Sequence, residues 1–184
     1  MSDSGIRRVE IGTAFAIALS VLAVIVSFYQ ARIAEKQAHA SVWPYVSVGA
    51  SMYDSGDAPG FTITVENNGL GPAIIESVIV SVDGKALRTW PEVHAALGLP
   101  EVMSQTTASF NGHVLPPNLN RDTAIQALHL PNVDNARALF QQRKRLGIEL
   151  CYCSVYDECW TAKFLEPHVT RVDHCDSTGT QFEK

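Results

Sequence analysis

The feature that most constrains this chain is an apolar run near its N-terminus. Residues 11–29, IGTAFAIALSVLAVIVSFY, contain no charged side chain over 19 positions. A helix rises about 1.5 Å per residue, so this run would span roughly 28 Å, which matches the hydrocarbon thickness of a bilayer. A cleaved signal peptide has a shorter apolar region with a small-x-small site close behind it. Here that site comes only at residues 38–40, so the run predicts an uncleaved signal anchor that crosses the lipid bilayer once.

The segments on either side of the run predict an orientation and a stalk. Residues 1–10 form a short N-terminal tail with Arg7 and Arg8, and Arg32 and Lys36 follow the run. Basic residues favour the cytoplasmic side of a membrane. Their count is equal on the two sides, but the adjacent arginines beside a short tail favour a cytoplasmic N-terminus and an extracytoplasmic main domain. Residues 30–42 are rich in helix formers and predict a helical stalk.

Small residues recur within the predicted span. Gly12, Ala16 and Ser20 are four residues apart, a spacing that permits close packing of two transmembrane helices. This pattern is compatible with a homo-oligomer formed through the span. The alternative is the ordinary alanine-rich composition of an apolar helix.

The charge balance and the motifs of the remaining chain exclude several classes of protein. Residues 41–184 carry ten basic and sixteen acidic side chains, a net charge of −6, with no basic stripe. Nucleic-acid binding is therefore not expected. The six histidines are scattered, and the sequence contains no Gly-x-Ser-x-Gly, His-Glu-x-x-His or phosphate-loop pattern. These observations predict a protein that is not an enzyme and that holds no cofactor.

Short β-strands dominate the pattern behind the stalk. Apolar and polar residues alternate over residues 61–66, as in a half-buried antiparallel strand, and β-branched residues fill residues 73–82 up to an Asp-Gly turn. In all, the pattern predicts seven or eight strands and one or two short helices, over residues 90–99 and 133–144. We therefore expect a mainly β chain, with a β-sandwich over residues 43–165 and a polar C-terminal tail over residues 166–184.

A turn motif lies between two of these strands and carries a resemblance. The motif is Asn67-x-Gly69-x-Gly71-Pro72-Ala73; its glycines permit positive backbone angles, and Pro72 stiffens the next strand. With the N-terminal span, the Trp43-Pro44 pair and the hairpin over residues 152–160, it resembles a group of uncharacterised bacterial single-pass membrane proteins. The resemblance implies an immunoglobulin-like sandwich anchored in the bacterial inner membrane, and it implies no activity.

Four cysteines are the main candidates for chemistry. Cys151, Cys153 and Cys159 fall within nine residues, and Cys175 follows. Outside the cytoplasm, the simplest of the three possible arrangements pairs Cys153 with Cys159 and Cys151 with Cys175. In the cytoplasm, free buried thiols are favoured instead. The four cysteines, or three of them with His174, are also weak candidates for a metal site, because a single residue between Cys151 and Cys153 is short for zinc.

These patterns together predict a membrane-anchored binding or assembly module with a protein partner. Aromatic residues Trp43, Tyr152 and Trp160 are the candidates to face that partner. The alternative function is a thiol-based redox or metal-binding factor that uses the cluster of Cys151, Cys153 and Cys159.

Overall fold

A long N-terminal helix and a β-sandwich make up the chain. The computed structural model describes residues 3–53, 60–99, 106–107, 109, 112–117, 124–176 and 178–182. The chain divides into two units, of which the first ends at Ser41 and the second begins at Val42. The first unit is one continuous helix, α1 (Asp3–Ser41). Its part Gly12–Ser41 is long and apolar enough to cross a membrane, and it includes the predicted stalk up to Ser41 without a break.

The small residues of α1 lie on an exposed surface. Gly12, Ala16 and Ser20 are all exposed, and the Ser20 hydroxyl donates a hydrogen bond to the Ala16 carbonyl at 2.8 Å. A serine that bonds back to its own helix is compatible with an apolar environment. Pairing of two copies through these residues stays a prediction.

The second unit is built from two antiparallel sheets. In the described residues its strands are β1 (Val46–Tyr53), β2 (Gly60–Asn67), β3 (Ala73–Val82), β4 (Lys85–Leu87), β5 (Thr106–Thr107), β6 (Val114–Leu115), β7 (Ile125–Leu130), β8 (Leu146–Cys153), β9 (Cys159–Lys163) and β10 (Thr170–Val172). The first sheet has the order β1-β2-β7-β5, and the second has the order β10-β9-β8-β3-β4, with β6 also paired to β3. Its helices are α2 (Trp90–Leu97), α3 (Val133–Gln142) and a 3-10 turn (Arg143–Arg145). The predicted mainly β class behind one apolar helix is confirmed.

One apolar core joins the two sheets. Phe61, Ile63 and Val65 of β2 are fully buried and alternate with half-buried polar residues, as the period-two pattern predicts. They belong to the same buried cluster as Ile75 of β3 and Leu150 of β8 in the other sheet. Each such side chain contributes roughly 1.5–3 kcal/mol of transfer free energy, so the burial between the sheets stabilises the sandwich.

The C-terminal segment is part of the sandwich, so the predicted end of the sandwich at residue 165 is too early. Strand β10 pairs with β9, and Phe182 is buried with its ring 5.1 Å from that of Trp90. The Phe182 amide donates to the Val78 carbonyl at 2.9 Å, and the Gln181 side-chain oxygen accepts from the Val78 amide at 3.1 Å. Val78 lies between the part of β3 that pairs with β6 and the part that pairs with β4. The tail therefore satisfies the backbone of a strand edge that would otherwise be open.

Several chain segments meet at the end of the sandwich where β1 begins, which we name the proximal end. Strand β2 ends there, because Val46 is the register partner of Asn67. Strand β3 begins and β8 ends there, because Ile74 is the partner of Cys153. A hydrogen bond of 3.2 Å from the Val46 amide to the Tyr152 hydroxyl joins the two sheets at this end. The turn motif, the four cysteines and the loop between β8 and β9 all belong to this region.

Candidate functional site

The Asn67 side chain connects three segments at the proximal end. Asn67 is buried, and its Oδ1 accepts hydrogen bonds from the amides of Tyr45 and Gly69, both at 3.1 Å. Its Nδ2 donates to the Gly71 carbonyl at 2.8 Å and to the Leu115 carbonyl at 3.1 Å. The side-chain amide thus donates two hydrogen bonds and accepts two. These bonds offset the free-energy cost of burying a polar group. Asn67 holds the start of β1, its own turn and β6 together.

The two glycines of the motif are needed for close approach rather than for unusual backbone angles. Neither Gly69 nor Gly71 has a positive φ, so the expectation of positive angles is wrong. A Cβ at Gly71 would instead overlap the backbone of Val42, and a Cβ at Gly69 would overlap that of the segment after Trp43. The Leu70 amide donates to the Trp43 carbonyl at 2.9 Å in the same contact. Residues 42–45 therefore pack directly against the turn before Pro72.

The four cysteines lie together on one face of the second sheet. The structure joins Cys151 to Cys175 and Cys153 to Cys159 by disulfides, with Cα separations of 5.6 and 4.0 Å. These are the pairs of the simplest arrangement described above. Cys153 and Cys159 are direct register partners across the β8–β9 hairpin. Because successive side chains of a strand alternate, Cys151 and Cys153 face away from the core while Tyr152 faces into it.

The two disulfides are in contact with each other. The Cys153 Sγ lies 3.7 Å from the Cys175 Sγ, and the sulfurs of Cys153, Cys159 and Cys175 all lie within 4.8 Å of one another. His174 is exposed and is not a member of this group. As disulfides these sulfurs offer no thiolate to a metal ion, so they could form a ligand set only after reduction.

Two of the three aromatic residues expected to face a partner are buried. Tyr152 is 0% exposed and Trp160 is 7% exposed, and their stacked rings are 5.9 Å apart. Burial raises the pKa of the Tyr152 hydroxyl to about 12. The expectation for this pair is wrong, because both residues are on the core side of the hairpin. Trp43 is 42% exposed and remains a candidate.

Other apolar side chains at the proximal end are exposed. The residues that share this property with Trp43 are Leu70, Val114, Val155 and Tyr156, which are all at least 44% exposed. Leu70 is in the turn between β2 and β3, Val114 begins β6, and the last two are in the β8–β9 turn. The sequence analysis did not single them out, because it considered only aromatic residues as candidates to face a partner. The available signal was a large apolar residue inside a turn, as at Leu70.

Acidic residues lie on the side of the proximal end that carries the β8–β9 loop and Cys175. Asp157, Asp173 and Asp176 are exposed, and hydrogen bonds from the side chain and backbone of Thr178 hold the pKa of Asp176 below its usual value. The Arg171 guanidinium lies 2.9 Å from the Glu158 carboxylate, so this pair adds no net charge. On this side of the described proximal end, the exposed aspartates therefore leave a net negative charge.

The chain matches one described family. Residues 9–165 match the sequence model of a family that is described as a domain of unknown function (DUF8453). No curated protein and no solved structure matches the chain. The matched range includes the apolar helix, the Asn67 turn and three of the four cysteines, and Cys175 follows it.

Proposed function

This chain belongs to the DUF8453 family, and we propose that it is a membrane-anchored binding module with no catalytic activity of its own. The observation that carries the proposal is the group of exposed apolar side chains on the loops of the proximal end. Apolar groups that cluster on one surface are typical of interaction sites, whereas scattered ones are not. In this proposal α1 provides the anchor and the loops provide the binding surface.

The partner is proposed to be a protein with an apolar patch and a basic rim. Asp157, Asp173 and Asp176 on one side of the proximal end would attract basic side chains and favour their approach. The same charges would be repelled by the anionic lipids that attract basic protein segments at membrane surfaces. The charge therefore favours a protein over a lipid surface as the occupant. A second copy of this chain carries the same negative charge and fits less well.

The proposed location is the bacterial inner membrane, crossed once, with the sandwich on the extracytoplasmic side. The pairs Cys151–Cys175 and Cys153–Cys159 support this side, because disulfides persist in oxidising compartments and are rare in the cytosol. Arg7 and Arg8 before the apolar run support a cytoplasmic N-terminus.

Site-specific photo-crosslinking tests the binding surface. A photoreactive amino acid is placed at position 70 or 155 of the full chain, and intact cells are irradiated. We expect both positions to capture the same protein, since Leu70 and Val155 are exposed and lie in two different loops at the proximal end. The matched control is Tyr53, which is 58% exposed and is the last residue of β1, at the end of that strand opposite to the proximal end. We expect no capture of that protein from position 53.

A substitution within the surface provides the second arm of this test. Val114 is 57% exposed, so V114D leaves the fold intact but puts a charge into the proposed contact. We expect V114D to lower the yield of crosslinked partner from position 70 about fivefold or more. A fivefold decrease corresponds to the loss of roughly 1 kcal/mol of binding free energy. Equal capture from position 53, or capture that V114D leaves unchanged, contradicts the proposal.

A further inference from the structure

The contact between the two disulfides suggests chemistry that the binding function does not use. The Cys153 and Cys175 sulfurs are 3.7 Å apart although they belong to different disulfides. Cys153 and Cys159 are 8% and 4% exposed, whereas Cys175 is only partly buried. Cys175 is therefore the most exposed of these three residues, and its sulfur lies against the less exposed Cys153–Cys159 disulfide.

We propose that the four cysteines form a single thiol–disulfide exchange site, in which Cys175 accepts electrons from an external dithiol and passes them to the Cys153–Cys159 disulfide. The substrate class is a vicinal dithiol, either in a protein or in a small molecule. Exchange requires a thiolate near a disulfide sulfur. Once Cys175 is reduced, the structure already supplies that neighbour at 3.7 Å.

The first stage reduces the Cys151–Cys175 disulfide. A thiolate of the external dithiol attacks the Cys175 Sγ, the Cys151–Cys175 bond breaks, and the electron pair leaves on Cys151, which takes a proton from water. The second thiol of the dithiol then attacks the mixed disulfide and releases the Cys175 thiolate. The dithiol has become a disulfide, and its two electrons are on Cys151 and Cys175.

The second stage is internal and transfers no further electrons to or from the protein. The Cys175 thiolate attacks the Cys153 Sγ, a Cys153–Cys175 bond forms, and the Cys153–Cys159 bond breaks with its electron pair on Cys159. Protonation of Cys159 completes the step. The product has one disulfide, Cys153–Cys175, and two thiols, on Cys151 and Cys159. The first stage thus releases the C-terminal segment from β8, and the second stage ties it to β8 again, through Cys153 in place of Cys151.

Substitution of Cys151 isolates the second stage. C151S leaves Cys175 as a thiol beside an intact Cys153–Cys159 disulfide, which is the state before internal exchange. The full chain in detergent is held at about pH 8.5, where an ordinary thiol is partly ionised. It is then quenched in acid, and free thiols are alkylated. Trypsin cleaves after Arg145, Lys163 and Arg171, so exchange converts a bond within the peptide of residues 146–163 into a link to the peptide of residues 172–184.

We expect at least a tenth of the C151S molecules to carry the link between the two peptides, with Cys159 as the alkylated cysteine. Less than a tenth overturns the proposal, and so does a link made through Cys159 with Cys153 alkylated. Urea is the control for geometry: if the linked fraction is unchanged in the unfolded chain, the contact of 3.7 Å is not responsible, and the proposal also fails.

C175S is the matched control variant. It also leaves one free cysteine, Cys151, but Cys151 is not among the three sulfurs that lie within 4.8 Å of one another. We expect Cys151 to be the alkylated residue and Cys153–Cys159 to persist. Scrambling in C175S to the same extent as in C151S would mean that any thiol exchanges in this region, which contradicts a specific role for Cys175. None of these readouts depends on the proposed protein partner.

Discussion

Asn67 shows how one buried amide can hold the proximal end together. Its four hydrogen bonds reach residues as distant in sequence as Tyr45 and Leu115. Removal of the amide leaves buried backbone groups without partners, each at a cost of about 1–3 kcal/mol. We expect Asn67→Ala to lower the free energy of unfolding of the full chain in detergent by about 2–4 kcal/mol, measured by urea titration with tryptophan fluorescence.

Asn68 is the control for this prediction, since it is the neighbouring asparagine but is exposed. Its Nδ2 donates one hydrogen bond to the Ser47 hydroxyl at 2.9 Å. Asn68→Ala is expected to change the free energy of unfolding by about 0.5 kcal/mol or less. If the two substitutions cost the same, the buried network does not stabilise the sandwich as described.

The role of this motif could be read only in part from the sequence. Asn and Gly at residues 67–71 correctly predict a turn, because both residue types favour local backbone bends. The reason for Gly71 depends instead on Val42, whose backbone occupies the space of a Cβ. Such a contact between segments 29 residues apart in sequence leaves no local pattern. Residue types in one turn therefore predict its shape but not what packs against it.

At the scale of secondary-structure elements, short sequence motifs correctly predicted turns and helix ends. The Asp83-Gly84 pair predicts the β3–β4 hairpin, and both residues have the positive φ that such a turn requires. Thr89 and Asn132 are the N-caps of α2 and α3, a position that Thr and Asn favour. The pairing of β2 with β7 joins residues 60 to 69 positions apart. It could not be predicted, because the residue pattern of a strand carries no information on which strand lies next to it.

The C-terminal segment was expected to be a polar tail, but it contributes a buried side chain to the core. Phe182 is 2% exposed and packs on Trp90, and its amide pairs with β3. Loss of a buried phenylalanine ring costs about 3–5 kcal/mol. We expect Phe182→Ala to lower the free energy of unfolding by about 3 kcal/mol and to speed amide hydrogen exchange at Val78, measured by urea titration and exchange mass spectrometry.

Leu165→Ala provides the comparison for Phe182. Leu165 is apolar but 49% exposed, so its truncation removes little buried surface and is expected to cost less than about 1 kcal/mol. Equal effects of the two substitutions would indicate that the end of the chain does not contribute to the core.

At the scale of the whole molecule, the oxidation state and labelling of the cysteines can show on which side of a membrane the sandwich lies. All four are in disulfides in this structure, a state that is typical of oxidising compartments. With the proposed orientation, a membrane-impermeant maleimide should not label the full chain in intact cells. After treatment with an impermeant reductant it should label up to four positions, read as steps in mass on a gel.

Ser4→Cys provides an internal control for membrane integrity, because Ser4 precedes the apolar run and the sandwich follows it. In a single-pass protein the two lie on opposite sides of the bilayer. In intact cells we expect position 4 to stay unlabelled even after reduction, while the four native cysteines react, and we expect position 4 to react after lysis. Labelling of the native cysteines only after lysis, with no need for a reductant, would place the sandwich in the cytoplasm with free thiols. That outcome would contradict the proposed orientation and leave the thiols of Cys153, Cys159 and Cys175, which lie within 4.8 Å of one another, free to bind a metal ion.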